Sequence, residues 1–107
     1  MKLFSQMRRN KDIYTLDQIK ELIKPVMDKH SIAEVYIFGS YARHEARSDS
    51  DIDIYCSSGD IESLIQESAL IRELESALSK KVDVVAIGSK MHPFFKEQLD
   101  KDKIRII

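Results

Sequence analysis

Three aspartates, Asp51, Asp53 and Asp83, have the residue type and the spacing of a metal-binding site. The segment 51–56 (DIDIYC) alternates polar and apolar residues, which predicts a β-strand with both of its aspartates on one face, roughly 6–7 Å apart between Cα atoms. Asp83 interrupts the apolar segment 81–87 (KVDVVAI), a second predicted strand. If the two strands are neighbours, three carboxylates converge, and a cation would offset their repulsion. Hard oxygen ligands of this kind favour Mg²⁺ or Mn²⁺.

Two other interpretations compete with a Mg²⁺ site. In the first, the aspartates are ordinary solvated side chains on an exposed sheet face, and their spacing alone does not decide against it. In the second, Asp49, Asp51 and Asp53 occupy positions 1, 3 and 5 of an EF-hand calcium loop. That loop needs a glycine where Ile54 stands and a glutamate where Asp60 stands, so the sequence excludes it.

A Gly-Ser pair upstream favours the metal interpretation. Gly39-Ser40 follows the predicted strand 34–38 (EVYIF), and Ser40 is the expected N-cap of a short helix over 41–46. A turn of this kind exposes backbone amides and a hydroxyl, which can bind phosphate oxygens without a P-loop. Arg43 lies one turn into that helix and could add a guanidinium to the same anion. An anion site joined to a carboxylate site by one short loop predicts a nucleoside triphosphate that bridges both.

Composition excludes several other kinds of site. The glycines, Gly39, Gly59 and Gly88, are too few for a dinucleotide fingerprint or a P-loop. A single cysteine, Cys56, cannot form an internal disulfide or a multi-cysteine zinc site. The net charge of −1 indicates no general attraction to nucleic acid or to an anionic membrane. No segment has the apolar length of a signal peptide or a membrane span, so we expect a cytoplasmic protein.

The elements that must position these residues begin after a predicted loose arm over 1–14. A helix is predicted from about 16 to 30, with a capping box at Thr15–Gln18 and with Pro25 expected to kink it. One face of this helix is predicted to pack on the core. The residues at helical spacing on that face are Leu16, Ile19, Leu22, Ile23, Val26, Met27 and His30.

Two more helices follow the predicted strands. One comes after the turn 57–60, takes Asp60 as its N-cap and runs to about Ser79. Its predicted apolar side consists of Ile61, Leu64, Ile71, Leu74 and Leu78. The other is short and begins at Pro93, and its predicted anchors are Phe94, Phe95 and Leu99.

This order of elements, closed by a possible edge strand over 104–107, predicts an α+β fold. The simplest arrangement is a small mixed β-sheet with the helices packed on one face. The strand residues that would point into the core are Ile52, Ile54, Cys56, Val82 and Val84. At 107 residues the chain is expected to form a single domain over 1–107.

The same residues resemble a known family. Gly39-Ser40, ten intervening residues and then Asp51-Ile52-Asp53 match the GS-x10-D-x-D signature of the minimal nucleotidyltransferases, which belong to the DNA polymerase β-like superfamily. The likeness includes the third carboxylate, Asp83, on a later strand, and it extends from about residue 16 to the C-terminus. His44 departs from the family pattern, because a glycine is common at that position. The resemblance implies the palm-like nucleotidyltransferase fold.

The resemblance also implies a role for each site residue. Gly39 and Ser40 would hold the triphosphate of ATP with the help of Arg43. The three aspartates would be metal ligands for two Mg²⁺ or Mn²⁺ ions, which stabilise the attacking and leaving oxygens of an in-line displacement. Asp83 would lie on the side from which an acceptor hydroxyl attacks. Attack on the α-phosphorus would transfer AMP and release pyrophosphate.

Finally, the resemblance implies a partner protein. Minimal nucleotidyltransferases often act as antitoxins beside a HEPN-domain ribonuclease toxin and transfer AMP onto a toxin tyrosine. The sequence has no segment left over for an acceptor domain, so we expect another polypeptide or a second subunit to present the hydroxyl. The alternatives are an antitoxin that neutralises its toxin by binding alone, which would not need three carboxylates, and an enzyme with a small-molecule acceptor. The near-neutral charge disfavours an RNA-extending polymerase.

Overall fold

Four strands and three helices make up the described part of the chain, residues 12–107 of a computed structural model. Most of the predicted N-terminal arm, residues 1–11, lies outside it. The helices are α1 (Leu16–Lys29), α2 (Leu64–Leu78) and α3 (Pro93–Asp102), and the strands are β1 (Val35–Phe38), β2 (Ile52–Cys56), β3 (Val82–Ala86) and β4 (Ile104–Arg105). Every predicted strand is present and is one or two residues shorter than predicted.

The strands form one mixed sheet in the order β3-β2-β1-β4. β1 is antiparallel to both β2 and β4, whereas β2 and β3 are parallel. Parallel neighbours need a crossover connection, and α2 provides it. The predicted α+β fold with a small mixed sheet is confirmed, and β3 lies next to β2, as the convergence of their aspartates requires.

The first helix forms where the sequence predicts it, but Leu22 on its predicted apolar face is 38% exposed, and the buried residues are Ile19, Ile23 and Met27. The Thr15 hydroxyl accepts a hydrogen bond from the Gln18 N–H at 3.1 Å, and the Gln18 side chain accepts one from the Thr15 N–H at 2.9 Å, which completes the capping box. Pro25 lies inside α1, and the helix continues past it to Lys29. Just before the helix, the Tyr14 hydroxyl donates to the Leu78 carbonyl at 2.7 Å, so the last residue of the predicted arm is fixed to the end of α2.

Two hydrophobic clusters lie on opposite faces of the sheet. The larger cluster packs α1 and α2 against one face, whose buried strand residues include Val35, Ile37, Ile52, Ile54 and Cys56. The smaller cluster consists of Phe38, Tyr55 and Leu99, and it packs α3 against the opposite face. The prediction that the helices pack on one face is therefore correct for α1 and α2, whereas α3 packs on the opposite face and covers part of it. This difference matters because the second face carries the candidate site.

The second helix begins later than predicted. Its N-cap is Ser63 and not Asp60, since the Ser63 hydroxyl accepts a hydrogen bond from the Gln66 N–H at 3.2 Å. Asp60 instead accepts a hydrogen bond from the Ser31 hydroxyl at 2.8 Å. The predicted apolar side is consequently wrong in its first turn, because Leu64 is 80% exposed. The residues of α2 that are buried are Leu70, Leu74 and Leu78.

Two further predictions are corrected. The segment 41–46 makes hydrogen-bonded turns and no helix, and His44 has a positive φ of 60°, a conformation that an α-helix cannot contain. In α3, Leu99 is buried as predicted, but Phe94 is 66% exposed and Phe95 is 41% exposed. Leu99 is therefore the buried anchor of α3. Among residues 12–107, no helix has both the length and the apolar character needed to cross a membrane.

Candidate active site

The parallel pairing of β2 and β3 brings two of the predicted aspartates together. Asp53 lies opposite Asp83 in the register. The neighbours of Asp53 along the strand, Ile52 and Ile54, are fully buried in the larger cluster. Because side chains alternate along a strand, both aspartates project from the other face, the one that α3 partly covers.

The environment of Asp53 makes its negative charge unfavourable. Burial, and after it the charges of Asp83 and Asp51, raise the pKa of the Asp53 carboxyl from 3.8 to about 6, while the charge of Arg43 acts in the opposite direction. A carboxylate that is both desolvated and next to like charges gains from a bound proton or cation. The aspartate pair therefore has the electrostatics of a cation site.

The Gly39 turn packs directly against this carboxylate. Gly39 has a φ of +72°, in the left-handed region that favours glycine. A Cβ atom built on Gly39 would overlap the Asp53 Oδ2 atom and would lie 3.1 Å from Asp53 Cγ. Backbone hydrogen bonds close the turn, from the Arg43 N–H to the Gly39 carbonyl at 3.1 Å and from the Glu45 N–H to the Ser40 carbonyl at 2.9 Å. The absence of a side chain at 39 thus lets the backbone approach the carboxylate.

The Arg43 guanidinium contacts two carboxylates in the structure. Its Nε donates to Glu45 Oε1 at 2.8 Å, and one terminal nitrogen donates to Asp102 Oδ2 at 2.7 Å. The hydrogen bonds with Glu45 and then with Asp102 raise the pKa of the guanidinium, which keeps it charged. Asp102 is the last residue of α3, so this ion pair joins the Gly39 turn to that helix.

These groups line one cleft of about 270 Å³ between the sheet, the Gly39 turn and α3. The cleft has a charged part, formed by Arg43, Asp53, Asp83 and Asp102, and an apolar wall to which Phe38, Val85, Phe95 and Leu99 contribute. Of the six predicted site residues, the structure therefore brings four together here, namely Gly39, Arg43, Asp53 and Asp83.

The other two predicted site residues, Ser40 and Asp51, do not line this cleft. Ser40 is partly buried in the turn next to Gly39. Asp51 is exposed just before β2 and lines a neighbouring depression of about 580 Å³ together with Lys80 and Lys81. Within residues 12–107, no three histidine, cysteine, aspartate or glutamate side chains are grouped closely enough to hold a metal ion without other ligands. The structure thus offers a pair of carboxylates, with Asp51 contributing charge from nearby.

Three further residues of the cleft lie on α3, namely Phe95, Gln98 and Asp102. The sequence patterns predict Phe95 as a packing anchor of this helix and indicate no function for Gln98 or Asp102. With Leu99 they occupy positions i, i+3, i+4 and i+7, which is one face of a helix. That spacing was visible in the sequence. The sequence did not indicate that this face of α3 lines the cleft, because that depends on α3 packing on the same side of the sheet as the aspartates.

Comparison with known proteins identifies the family. A model of the family described as "Polymerase beta, Nucleotidyltransferase" matches residues 20–107. The chain belongs to this nucleotidyltransferase family. The match confirms the prediction of a nucleotidyltransferase that was made from the GS-x10-D-x-D signature.

Individual relatives agree with the family match. The protein MJ0435 of Methanocaldococcus jannaschii is 38% identical over 92 residues, which are 86% of this chain and 98% of the relative. "Protein adenylyltransferase MntA" of Thermococcus cleftensis is 36% identical over 79 residues, which are 70% of this chain and 80% of the relative.

Solved structures share the fold. A structure described as a toxin–antitoxin with AMP-PNP superimposes with a TM-score of 0.68 at 26% identity, over 80% of this chain and 70% of that chain. Another holds a tri-AMPylated HEPN toxin of Shewanella oneidensis in complex with an MNT antitoxin. It superimposes with a TM-score of 0.63 over 84% of this chain and 70% of that chain, and its 24% identity is evidence of the fold alone.

Proposed function

We propose that this nucleotidyltransferase transfers AMP from ATP to a hydroxyl group of a partner protein, a tyrosine of a HEPN-domain toxin, and acts as the antitoxin of that toxin. The observation that carries the proposal is the cleft in which the paired carboxylates of Asp53 and Asp83 face the Gly39 turn and the Arg43 guanidinium. Phosphate oxygens bound in this cleft would contact the guanidinium and the backbone of the Gly39 turn, close to the two carboxylates.

The Gly39 turn is the proposed site of the triphosphate. Because Gly39 has no side chain, the backbone of this turn lies directly against the Asp53 carboxylate, and the adjacent Ser40 supplies an amide and a hydroxyl for phosphate oxygens. Arg43 adds a charged fork of donors, which suits phosphate oxygens. The α-phosphate would then lie toward Asp53 and Asp83.

The residues present also fit Mg²⁺, the ion that the family resemblance implies. Mg²⁺ in proteins is commonly bound by one or two carboxylates together with waters and substrate phosphates, so a pair of aspartates is sufficient. Asp53 and Asp83 would hold it, and Asp51 would assist if a second ion binds with the nucleotide. Bound there, the metal would neutralise the negative charge that develops on the phosphate oxygens.

In the proposed reaction the acceptor hydroxyl oxygen forms a bond to the α-phosphorus of ATP. The bond between the α-phosphorus and the bridging oxygen breaks, and pyrophosphate leaves with the electron pair. The hydroxyl proton passes to a base, for which the exposed Asp83 carboxylate is the candidate on the acceptor side of the cleft. The products are an AMP phosphodiester on the acceptor and pyrophosphate.

The proposed partner rests on the relatives. One relative is named as a protein adenylyltransferase, and two similar structures are toxin–antitoxin complexes, one with AMP-PNP and one with an AMPylated HEPN toxin. A net charge of −1 agrees with a protein acceptor better than with a nucleic acid. Because ATP is an intracellular metabolite, the proposal places the reaction in the cytoplasm.

The test uses the protein encoded by the reading frame next to this chain, which the proposal expects to be a HEPN protein with an RxxxxH motif. That protein is incubated with ATP, Mg²⁺ and either the wild type, Asp83→Asn or Asp28→Asn, and its intact mass is measured. Asp28 is the matched control, because it is a 61% exposed aspartate that pairs with Lys24 on α1. We expect a mass gain of one or more AMP groups with the wild type and with Asp28→Asn, and none with Asp83→Asn.

The alternative functions give different results in the same experiment. An antitoxin that acts by binding alone would silence the toxin equally well as wild type and as Asp83→Asn, with no mass gain in either case. An enzyme with a small-molecule acceptor would leave the mass of the neighbouring protein unchanged while consuming ATP in the presence of that molecule. Either result would overturn the proposed protein acceptor.

A further inference from the structure

The ion pair between Arg43 and Asp102 bridges two parts of the chain that lie 59 residues apart. Its two charged groups are 2.7 Å apart, and the Asp102 side chain is only 21% exposed. Both residues line the cleft that contains the aspartate pair. Among the ion pairs of the described residues, it is the one that connects the Gly39 turn to α3.

Asp102 stands where an acidic residue is otherwise unfavourable. It is the last residue of α3, and the C-terminal end of a helix carries partial negative charge that repels a carboxylate. A cationic partner offsets this repulsion, and Arg43 supplies it. The position of Asp102 is also well fixed, because Leu99 one turn earlier is 2% exposed and the Lys103 N–H closes the helix end on the Leu99 carbonyl at 2.8 Å.

The second carboxylate on Arg43 cannot take over this role. Glu45 belongs to the same turn as Arg43, two residues away, and its side chain is 64% exposed. A contact within the turn does not fix the guanidinium relative to the sheet or to α3. The contact with Asp102 does, since α3 is packed on the sheet through Leu99.

The two ion pairs leave some N–H donors of the Arg43 guanidinium unused. Arginine has five N–H donors in a planar fork. Glu45 occupies the Nε donor and Asp102 occupies one terminal nitrogen, so the remaining donors are available to an anion in the cleft.

We propose that Asp102 is a positioning residue of the nucleotide site, which holds the Arg43 guanidinium at the wall of the cleft in the orientation that binds the triphosphate. The inference rests on the proposed function, in which Arg43 binds ATP. It assigns to α3 a part in nucleotide binding, in addition to its packing on the sheet.

The test is equilibrium binding of ATP in the presence of Mg²⁺, measured by calorimetry on the full chain. The variants are Asp102→Asn, Arg43→Ala, the double variant and Asp102→Glu, and Asp100→Asn is the matched control. Asp100 is on the same helix and also forms ion pairs, with Lys96 and Lys103, but does not line the cleft. Thermal unfolding of each variant checks that it is folded.

Positioning and simple charge removal predict opposite signs. Loss of a negative charge from the cleft would by itself strengthen the binding of an anion. If Asp102 positions Arg43, Asp102→Asn instead weakens ATP binding by about threefold to tenfold, within the range of coupling between contacting residues. The double variant then binds no more weakly than Arg43→Ala, Asp102→Glu restores most of the affinity, and Asp100→Asn matches the wild type.

The inference and the proposed function fail in different ways. Unchanged ATP affinity in Arg43→Ala would refute the role of Arg43 in the proposed function. Weakened binding in Arg43→Ala together with unchanged or tighter binding in Asp102→Asn would overturn the positioning role alone. Additive losses in the double variant would overturn it as well, since independent residues add and a residue that acts through another does not.

Discussion

Asp53→Asn is expected to stabilise the metal-free protein at neutral and alkaline pH, although Asp53 belongs to the proposed active site. Burial, together with the charges of Asp83 and Asp51, raises the pKa of its carboxyl from 3.8 to about 6. Between these two values the folded state binds more protons than the unfolded state, so the free energy of unfolding falls as pH rises from about 4 to about 6. Above about pH 6 the carboxyl is ionised in both the folded and the unfolded state, and the full loss of stability caused by the buried charge is present.

The size of the effect follows from the same values. Each pKa unit corresponds to about 1.36 kcal/mol, so the shift from 3.8 to about 6 corresponds to a loss of stability of about 3 kcal/mol if solvent screening is ignored. Asp53 is partly accessible to solvent, which screens its interactions, and we therefore expect about 1–2 kcal/mol. Asparagine keeps the shape of the side chain and cannot ionise, so Asp53→Asn removes the penalty.

Urea unfolding in the presence of a chelator, followed by circular dichroism, measures this difference. At about pH 8 the variant should be more stable than the wild type by the stated amount, and at about pH 4 the two should be nearly equal. Asp28→Asn, at an exposed position, should show no comparable gain. Added Mg²⁺ should stabilise the wild type at pH 8 and affect Asp53→Asn much less. A variant that is no more stable than the wild type at pH 8 would refute the reasoning.

Three other substitutions test separate parts of the structure. Gly39→Ala should weaken ATP binding and destabilise the fold, because its Cβ would overlap the Asp53 carboxylate. Gly88 has a similar positive φ but open space around it, so Gly88→Ala should show the effect of backbone strain alone, about 1–2 kcal/mol by urea unfolding. Leu74→Ala should cost about 2–5 kcal/mol in the same measurement, and Leu64→Ala, on an 80% exposed residue, should cost less than about 0.5 kcal/mol. Ser40→Ala should weaken ATP binding about tenfold or more by calorimetry while leaving the unfolding midpoint unchanged, since a hydrogen bond to a charged group contributes about 1.5–3 kcal/mol.

Local patterns were sufficient to predict the strands and the aspartate pair. The alternation in 51–56 and the aspartate within 81–87 correctly indicated two strands, and the parallel register then placed Asp53 beside Asp83. The side-chain period of a strand is two, so the pattern determines which residues share a face. Asp51 was less predictable, because it lies just outside β2, where the alternation no longer fixes its position.

The errors concern features that depend on tertiary contacts. Ser63 and Asp60 are both good N-caps by residue type, and the hydrogen bond from Ser31 to Asp60 shows that Asp60 belongs to the preceding turn. The segment 41–46 contains residues that are compatible with a helix. The positive φ values of Gly39 and His44, however, are incompatible with helical backbone at those two positions. The partnership of Arg43 with α3 joins residues far apart in sequence, so no local pattern could indicate it.

The central claim is tested most directly by following the α-phosphate of ATP. The protein encoded by the neighbouring reading frame, which the proposal expects to be a HEPN toxin, is incubated with this chain, Mg²⁺ and ATP labelled in either the α- or the γ-phosphate. The label on that protein is measured together with released pyrophosphate. Nucleotidyl transfer predicts label on the HEPN protein from the α-phosphate only, an equal amount of pyrophosphate, and loss of both with Asp83→Asn. Label from the γ-phosphate, or neutralisation of the toxin with no label from either position, would contradict the account.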